Sequence, residues 1–93
     1  MIRSFADKRT VAVWEDRMPK GFPPDLAKAS RRKLRMLASA TRLEDLRTPP
    51  ADRLEALAGN RAGQHSIRIN DQWRLCFVWR DGDAFDVEIV DYH

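Results

Sequence analysis

Between residues 25 and 40 the apolar positions recur with helical spacing. At about 100° per residue, Leu26, Ser30, Leu34 and Leu37 fall on one side, while Lys28, Arg31, Arg32 and Arg35 fall on the opposite side. Pro24 stands at a favourable first-turn position, so the pattern predicts a helix from about Asp25 to Ala40. A shorter helix is predicted upstream. Asp7 can cap it, and it would run to about Arg17 with Val11, Trp14 and Val13 inward. Ile2 to Phe5 reads as a short strand and Met18 to Pro23 as a loop. Thr41 is placed to cap one more turn over Leu43 to Leu46.

After Pro49-Pro50 the period changes from helical to two. A short strand is predicted around Arg53–Leu57, followed by strands over Ser66–Asn70, Trp73–Arg80 and Ala84–Val90. Keeping the apolar residues on one face fixes the pairing, because a slip of one residue turns them all outward. With a three-residue loop at Asn70-Asp71-Gln72, Ile69 meets Trp73, Ile67 meets Leu75 and Arg68 lies opposite Arg74. A similar loop at Asp81-Gly82-Asp83 pairs Trp79 with Phe85, Phe77 with Val87 and Leu75 with Ile89. The expected fold is α+β, with two N-terminal helices on the apolar face of a mainly antiparallel sheet. The other face then carries Arg68, Arg74, Cys76, Val78, Arg80, Asp86, Glu88, Val90 and Tyr92. Two arginines directly opposite each other call for a neutralising group: Glu88, Asp86 or a bound phosphate.

Length changes this picture little: 93 residues suit one domain spanning 1–93. Charge adds more. The net +3 divides into +6 over residues 1–47 (twelve Lys/Arg, six Asp/Glu) and −3 over residues 48–93 (five against eight). No carboxylate lies within residues 26–43, so the cationic helix face is either a solvated surface or a site for polyanions or an acidic partner. A single cysteine, Cys76, excludes an internal disulfide and a Cys-based zinc site, in keeping with a cytoplasmic location. No stretch approaches a membrane span, and none reads as a signal peptide. Nor is there a Gly-rich phosphate loop, a metal-ligand cluster or a Ser-His-Asp spacing, so neither a metal nor a small-molecule cofactor is expected.

The run Gln64-His65-Ser66-Ile67-Arg68-Ile69-Asn70-Asp71-Gln72-Trp73-Arg74-Leu75-Cys76-Phe77-Val78-Trp79 is followed by Asp81-Gly82, Asp86-Val87-Glu88 and a final Asp91-Tyr92-His93. Together with the opening Ile2-Arg3-Ser4-Phe5, this resembles the HigB family, toxins of type II toxin–antitoxin systems within the RelE/ParE superfamily. The resemblance implies helices on a curved antiparallel sheet and an endoribonuclease acting on mRNA in the ribosomal A site. It also implies a HigA-type helix-turn-helix antitoxin as partner. The residues are chemically compatible with metal-free RNA cleavage, which needs a base for the 2′-hydroxyl proton, cations for the phosphate and an acid for the leaving 5′-oxygen. On this resemblance His93 is the acid and Arg68 and Arg74 hold the phosphate. Tyr92 stacks on a base or orients the scissile group, and Asp91 orients its neighbours.

The chain departs from the family pattern at Leu54-Glu55-Ala56-Leu57-Ala58-Gly59, where Glu55 takes the position of a frequent histidine and Ala58 that of a lysine. Glu55 becomes the candidate base, and Arg61 the candidate replacement for the lysine's phosphate contact. Lys28, Arg31, Arg32 and Arg35 are candidate RNA contacts. The strand register directs Tyr92 towards the arginines but puts Asp91 and His93 on the core side, so His93 has to turn to reach the site. Two alternatives stay open: a ParE-like toxin that poisons gyrase, and a catalytically weak antitoxin-binding homologue.

Overall fold

A computed structural model describes residues 1–92. Two helices, α1 (Lys8–Trp14) and α2 (Pro24–Ser39), precede four antiparallel strands: β1 (Glu55–Ala56), β2 (His65–Arg68), β3 (Trp73–Arg80) and β4 (Asp83–Asp91), in spatial order 1-2-3-4. Both helices lie on one face of the sheet, as the apolar pattern predicts. Leu26, Leu34 and Leu37 of α2 meet Ile67, Leu75, Phe77, Val87 and Ile89 in one core, all at most 4% exposed.

The Asp7 carboxylate accepts from the Thr10 N–H at 2.9 Å, which starts α1 where expected. Asp7→Ala should cost about 1 kcal/mol of stability, read as a lowered thermal midpoint at unchanged fold. The helix ends earlier than the predicted Arg17, because Asp16 adopts a left-handed conformation with φ 63°. Its inner side is also different. Thr10 and Val13 are fully buried, Val11 is half-buried, and Trp14 sits at the rim, 37% exposed, against Phe5. Polarity explains the buried Thr10: its hydroxyl accepts the Ile89 N–H at 3.0 Å. That closes the edge of β4, whose upstream groups are taken by residues 1–6 through parallel bridges Ile2–Ala84 and Phe5–Val87.

Thr41 does not cap the turn over Leu43–Arg47 with its side chain. The reverse holds: Asp45 reaches back and accepts from the backbone N–H groups of Thr41 and Arg42 at 3.0 and 3.1 Å. Those bonds hold the Asp45 carboxyl below its ordinary range. A lowered folded value contributes stability above the ordinary Asp range and loses it as pH falls through the lowered value. Asp45→Asn should therefore flatten the acid limb of a melting-temperature-versus-pH curve.

The predicted strand around Arg53–Leu57 contracts to Glu55–Ala56. Pro50–Asp52 form a helical turn, and Arg53 follows in a left-handed conformation. Asp52 is completely buried there and pairs with Lys33 of α2, so the fifth cation of that helix points inward.

The β2–β3 pairing is as expected, including Ile67 with Leu75 and Arg68 with Arg74. The β3–β4 pairing is corrected. Leu75 does meet Ile89, but Trp79 meets Ala84, and Val78 meets Phe85. The turn has two residues, Asp81 and Gly82, both with positive φ (54° and 81°), the geometry that matches strand twist. A side chain at Gly82 would also press on the Thr41 carbonyl at 3.3 Å. The shorter turn leaves one residue over, and a bulge opposite Cys76–Val78 absorbs it, with Asp86 at φ 52°. Ala84 consequently takes the core position, while Phe85 is only partly buried and packs under the Arg80 guanidinium at 4.4 Å.

Candidate active site

Across the sheet, Glu55 pairs with Ser66, Ser66 with Cys76, and Cys76 with Glu88. Directly paired residues point to the same side, so this row crosses the face opposite the helices. Arg74 lies one alternation along β3 on that same face.

Arg74 is held firmly. Its Nε donates to Ser66 Oγ at 2.7 Å, and Nη2 donates to the Arg53 carbonyl at 2.6 Å. Arg53, left-handed at φ 47°, presents that carbonyl to the guanidinium from the turn just before β1. Glu55 Oε1 stands 3.9 Å from Arg74 Nη2, with the Glu55 side chain 57% exposed and able to move.

Arg61 enters from the turn Gly59–Arg61 between β1 and β2. Its Nη1 donates to Glu88 Oε1 at 3.2 Å and to Gln64 Oε1 at 3.1 Å. Tyr92 follows β4, and its phenol and the buried Cys76 thiol influence each other's titration. Partial burial and then the thiol raise the phenol above its ordinary range, while the charges of Arg61 and Arg74 act in the opposite sense. Burial likewise pushes the Cys76 thiol up, so it is a protonated neighbour of Tyr92 and not a nucleophile.

The structure thus brings together Tyr92, Arg74, Glu55 and Arg61. It does not bring Arg68 in. That guanidinium pairs with Asp71 in the β2–β3 turn, although Arg68 faces Arg74 across the strands as expected. Neither expected carboxylate neutralises the arginine pair: Glu88 holds Arg61, and Asp86 turns to Ser4 at the opposite edge. Asp91 accepts from Gln72 Nε2 at 3.1 and 3.2 Å, which pins the end of β4 to the β2–β3 turn. His93 lies outside the described residues.

The α2 cations belong to another surface. Since α2 covers the core face of the sheet, its exposed Lys28, Arg32 and Arg35 point away from the row just described. Arg31 is not part of a free basic stripe. It donates to the Val13 carbonyl at 3.2 Å and pairs with Asp16 at 3.0 Å, closing the end of α1. The relieving carboxylate, Asp16, comes from the turn after α1, so the spacing within α2 alone does not reveal it.

Sequence reasoning missed Gln64, Ser66 and the Arg53 carbonyl as supports of the two arginines. Ser66 was recoverable, because the β2–β3 register places it opposite Cys76. The other two depend on turns with no repeating pattern.

A profile of the HigB-like toxin family, described as RelE-like toxins of type II toxin–antitoxin systems, matches residues 3–93. The chain belongs to the HigB-like toxin family. It is 41% identical over 87 residues to "Toxin HigB-1" of Vibrio cholerae, covering 92% of each chain. It is 30% identical over 93 residues to "Endoribonuclease HigB" of Proteus vulgaris, covering all of both. Among solved structures, a mutant of YafQ from E. coli superimposes with a TM-score of 0.64 at 12% identity, covering 98% of this chain and 93% of that one. YoeB from the Staphylococcus aureus YoeB–YefM complex gives 0.58 at 16%, covering 100% and 98%. These likenesses establish the RelE-like fold. As a HigB-like toxin of a type II system the chain has an antitoxin partner. No helix among the described residues is long and apolar enough to cross a membrane.

Proposed function

We propose that residues 1–93 form one domain that cleaves mRNA in the ribosomal A site, in the cytoplasm, and that a HigA-type helix-turn-helix antitoxin restrains it. The observation that carries this reading is the convergence of Arg61, Arg74, Glu55 and Tyr92 on one open sheet face. In-line attack of a 2′-hydroxyl on its own phosphate breaks the bond to the 5′-oxygen and leaves a 2′,3′-cyclic phosphate. Glu55 takes the 2′-hydroxyl proton. Arg74 and Arg61 hold the phosphate as its charge grows, each with a guanidinium fork fitted to phosphate oxygens. Tyr92 stacks on a base beside the scissile bond, Asp91 holds the strand end, and His93 protonates the departing 5′-oxygen. The exposed Lys28, Arg32 and Arg35 meet ribosomal RNA on the far side, since a small protein inside the ribosome is enclosed on more than one face.

The test uses the purified chain with ribosomes translating a defined mRNA. The expected result is cleavage within the A-site codon, with 2′,3′-cyclic phosphate and 5′-hydroxyl ends, abolished by deleting Tyr92 and His93. Growth arrest that survives the deletion and brings DNA damage would sink the nuclease reading in favour of gyrase poisoning.

A further inference from the structure

We infer that Glu88 and Gln64 are positioning residues that act on RNA cleavage through Arg61, as the substitute for the missing lysine contact at Ala58. This rests on the nuclease reading above. Arg61 stands on a single helical turn, a mounting that leaves a long side chain many rotamers. Two acceptors remove that freedom. Glu88 reaches it from β4, two strands across the sheet from the Arg61 turn, and Gln64 reaches it from the residue just before β2. The Arg61 and Glu88 side chains are only 28% and 30% exposed, so the pair is partly shielded from solvent.

Both bonds use the same nitrogen, Nη1. Neither occupies Nε or Nη2, so the clamp fixes the plane of the guanidinium without consuming its whole fork. Since Glu88 lies opposite Cys76, one alternation along β3 from Arg74, the fork is thereby held over the face that carries Arg74, where it meets a phosphate with little further ordering. Glu88 also balances the cation before RNA arrives, which keeps Arg61 and Arg74 compatible on one small face. Glu88 itself need not touch the substrate.

A double-mutant cycle tests this. Single-turnover cleavage on programmed ribosomes, at saturating toxin, is compared for wild type, Arg61→Ala, Glu88→Ala and the double variant. Each single variant should slow cleavage by roughly tenfold or more, and the double variant should be no slower than Arg61→Ala. Glu88→Gln keeps an acceptor for Nη1 and should recover most of the rate, while Gln64→Ala should show a smaller loss that also vanishes in the Arg61→Ala background. If Glu88→Ala leaves the chain unfolded by near-ultraviolet circular dichroism, the Glu88→Gln and Gln64→Ala arms decide. Additive losses, a full loss from Glu88→Ala in the Arg61→Ala background, or faster cleavage by Glu88→Ala each overturn the inference. Absence of cleavage by the wild type overturns the nuclease reading instead, so the two failures are distinguishable.

Discussion

Arg74→Ala should lower mRNA cleavage on translating ribosomes by about 10²–10³-fold and relieve growth arrest, while the chain stays folded. The size follows from what Arg74 supplies: a charge presented in fixed geometry where negative charge develops, with no reorganisation left to do. Ser66 Oγ and the Arg53 carbonyl provide that fixity at 2.7 and 2.6 Å. The side chain is 12% exposed, so its field is poorly screened. Arg74→Lys separates charge from geometry. A lysine keeps the charge but cannot hold Ser66, the Arg53 carbonyl and a phosphate together, so most of the loss should persist. Recovery of wild-type cleavage by Arg74→Lys would show that charge alone is enough. Undiminished cleavage by Arg74→Ala would remove Arg74 from the site.

The second large effect concerns stability. Lys33→Met should destabilise the fold by roughly 3–5 kcal/mol, because it strands the fully buried Asp52 carboxylate without its counter-charge. In a protein whose total stability is about 5–15 kcal/mol, that is a large share. The double variant Lys33→Met with Asp52→Leu should regain most of the loss, since an apolar pair of similar volume needs no desolvation of charge. Urea unfolding of the wild type and the two variants measures this. A single variant as stable as wild type would mean that water reaches Asp52. The pair also joins α2 to the turn before Arg53, so loosening it should disturb the carbonyl that holds Arg74.

The parts of the fold that were legible beforehand share one property: they are periodic. The α2 stripe of Leu26, Leu34 and Leu37 and the β2–β3 register each repeat a spacing, and each agrees with the structure. The failures sit where a single residue breaks the period. A bulge at Asp86 exchanged Ala84 for Phe85 in the core, and a buried Thr10 displaced Trp14, because polarity on an edge N–H outweighed hydrophobicity there. The candidate site followed the same rule. Arg74 and Tyr92 were placed on their face by alternation, whereas Arg68 was diverted by the exposed Asp71 in a turn. The supports of Arg61 and Arg74 come from turns around residues 53 and 61, where backbone direction depends on left-handed conformations and not on pattern.

The bulge in β4 has a consequence for how this chain tolerates change in length. It divides the last hairpin into two registers, one set by the Asp81-Gly82 turn and one ending at Asp91. Deleting Asp86 would fuse them, and every residue on one side would have to slide by one place. If the tip yields, Ala84 and Phe85 exchange faces and an aromatic ring must find room in a filled core. If the other end yields, Glu88 leaves Arg61, and Tyr92 turns away from Cys76. A one-residue gap is thus far harder to accommodate in β4 than a substitution at the same spot, and the spare residue acts as a spacer that keeps the working end in phase.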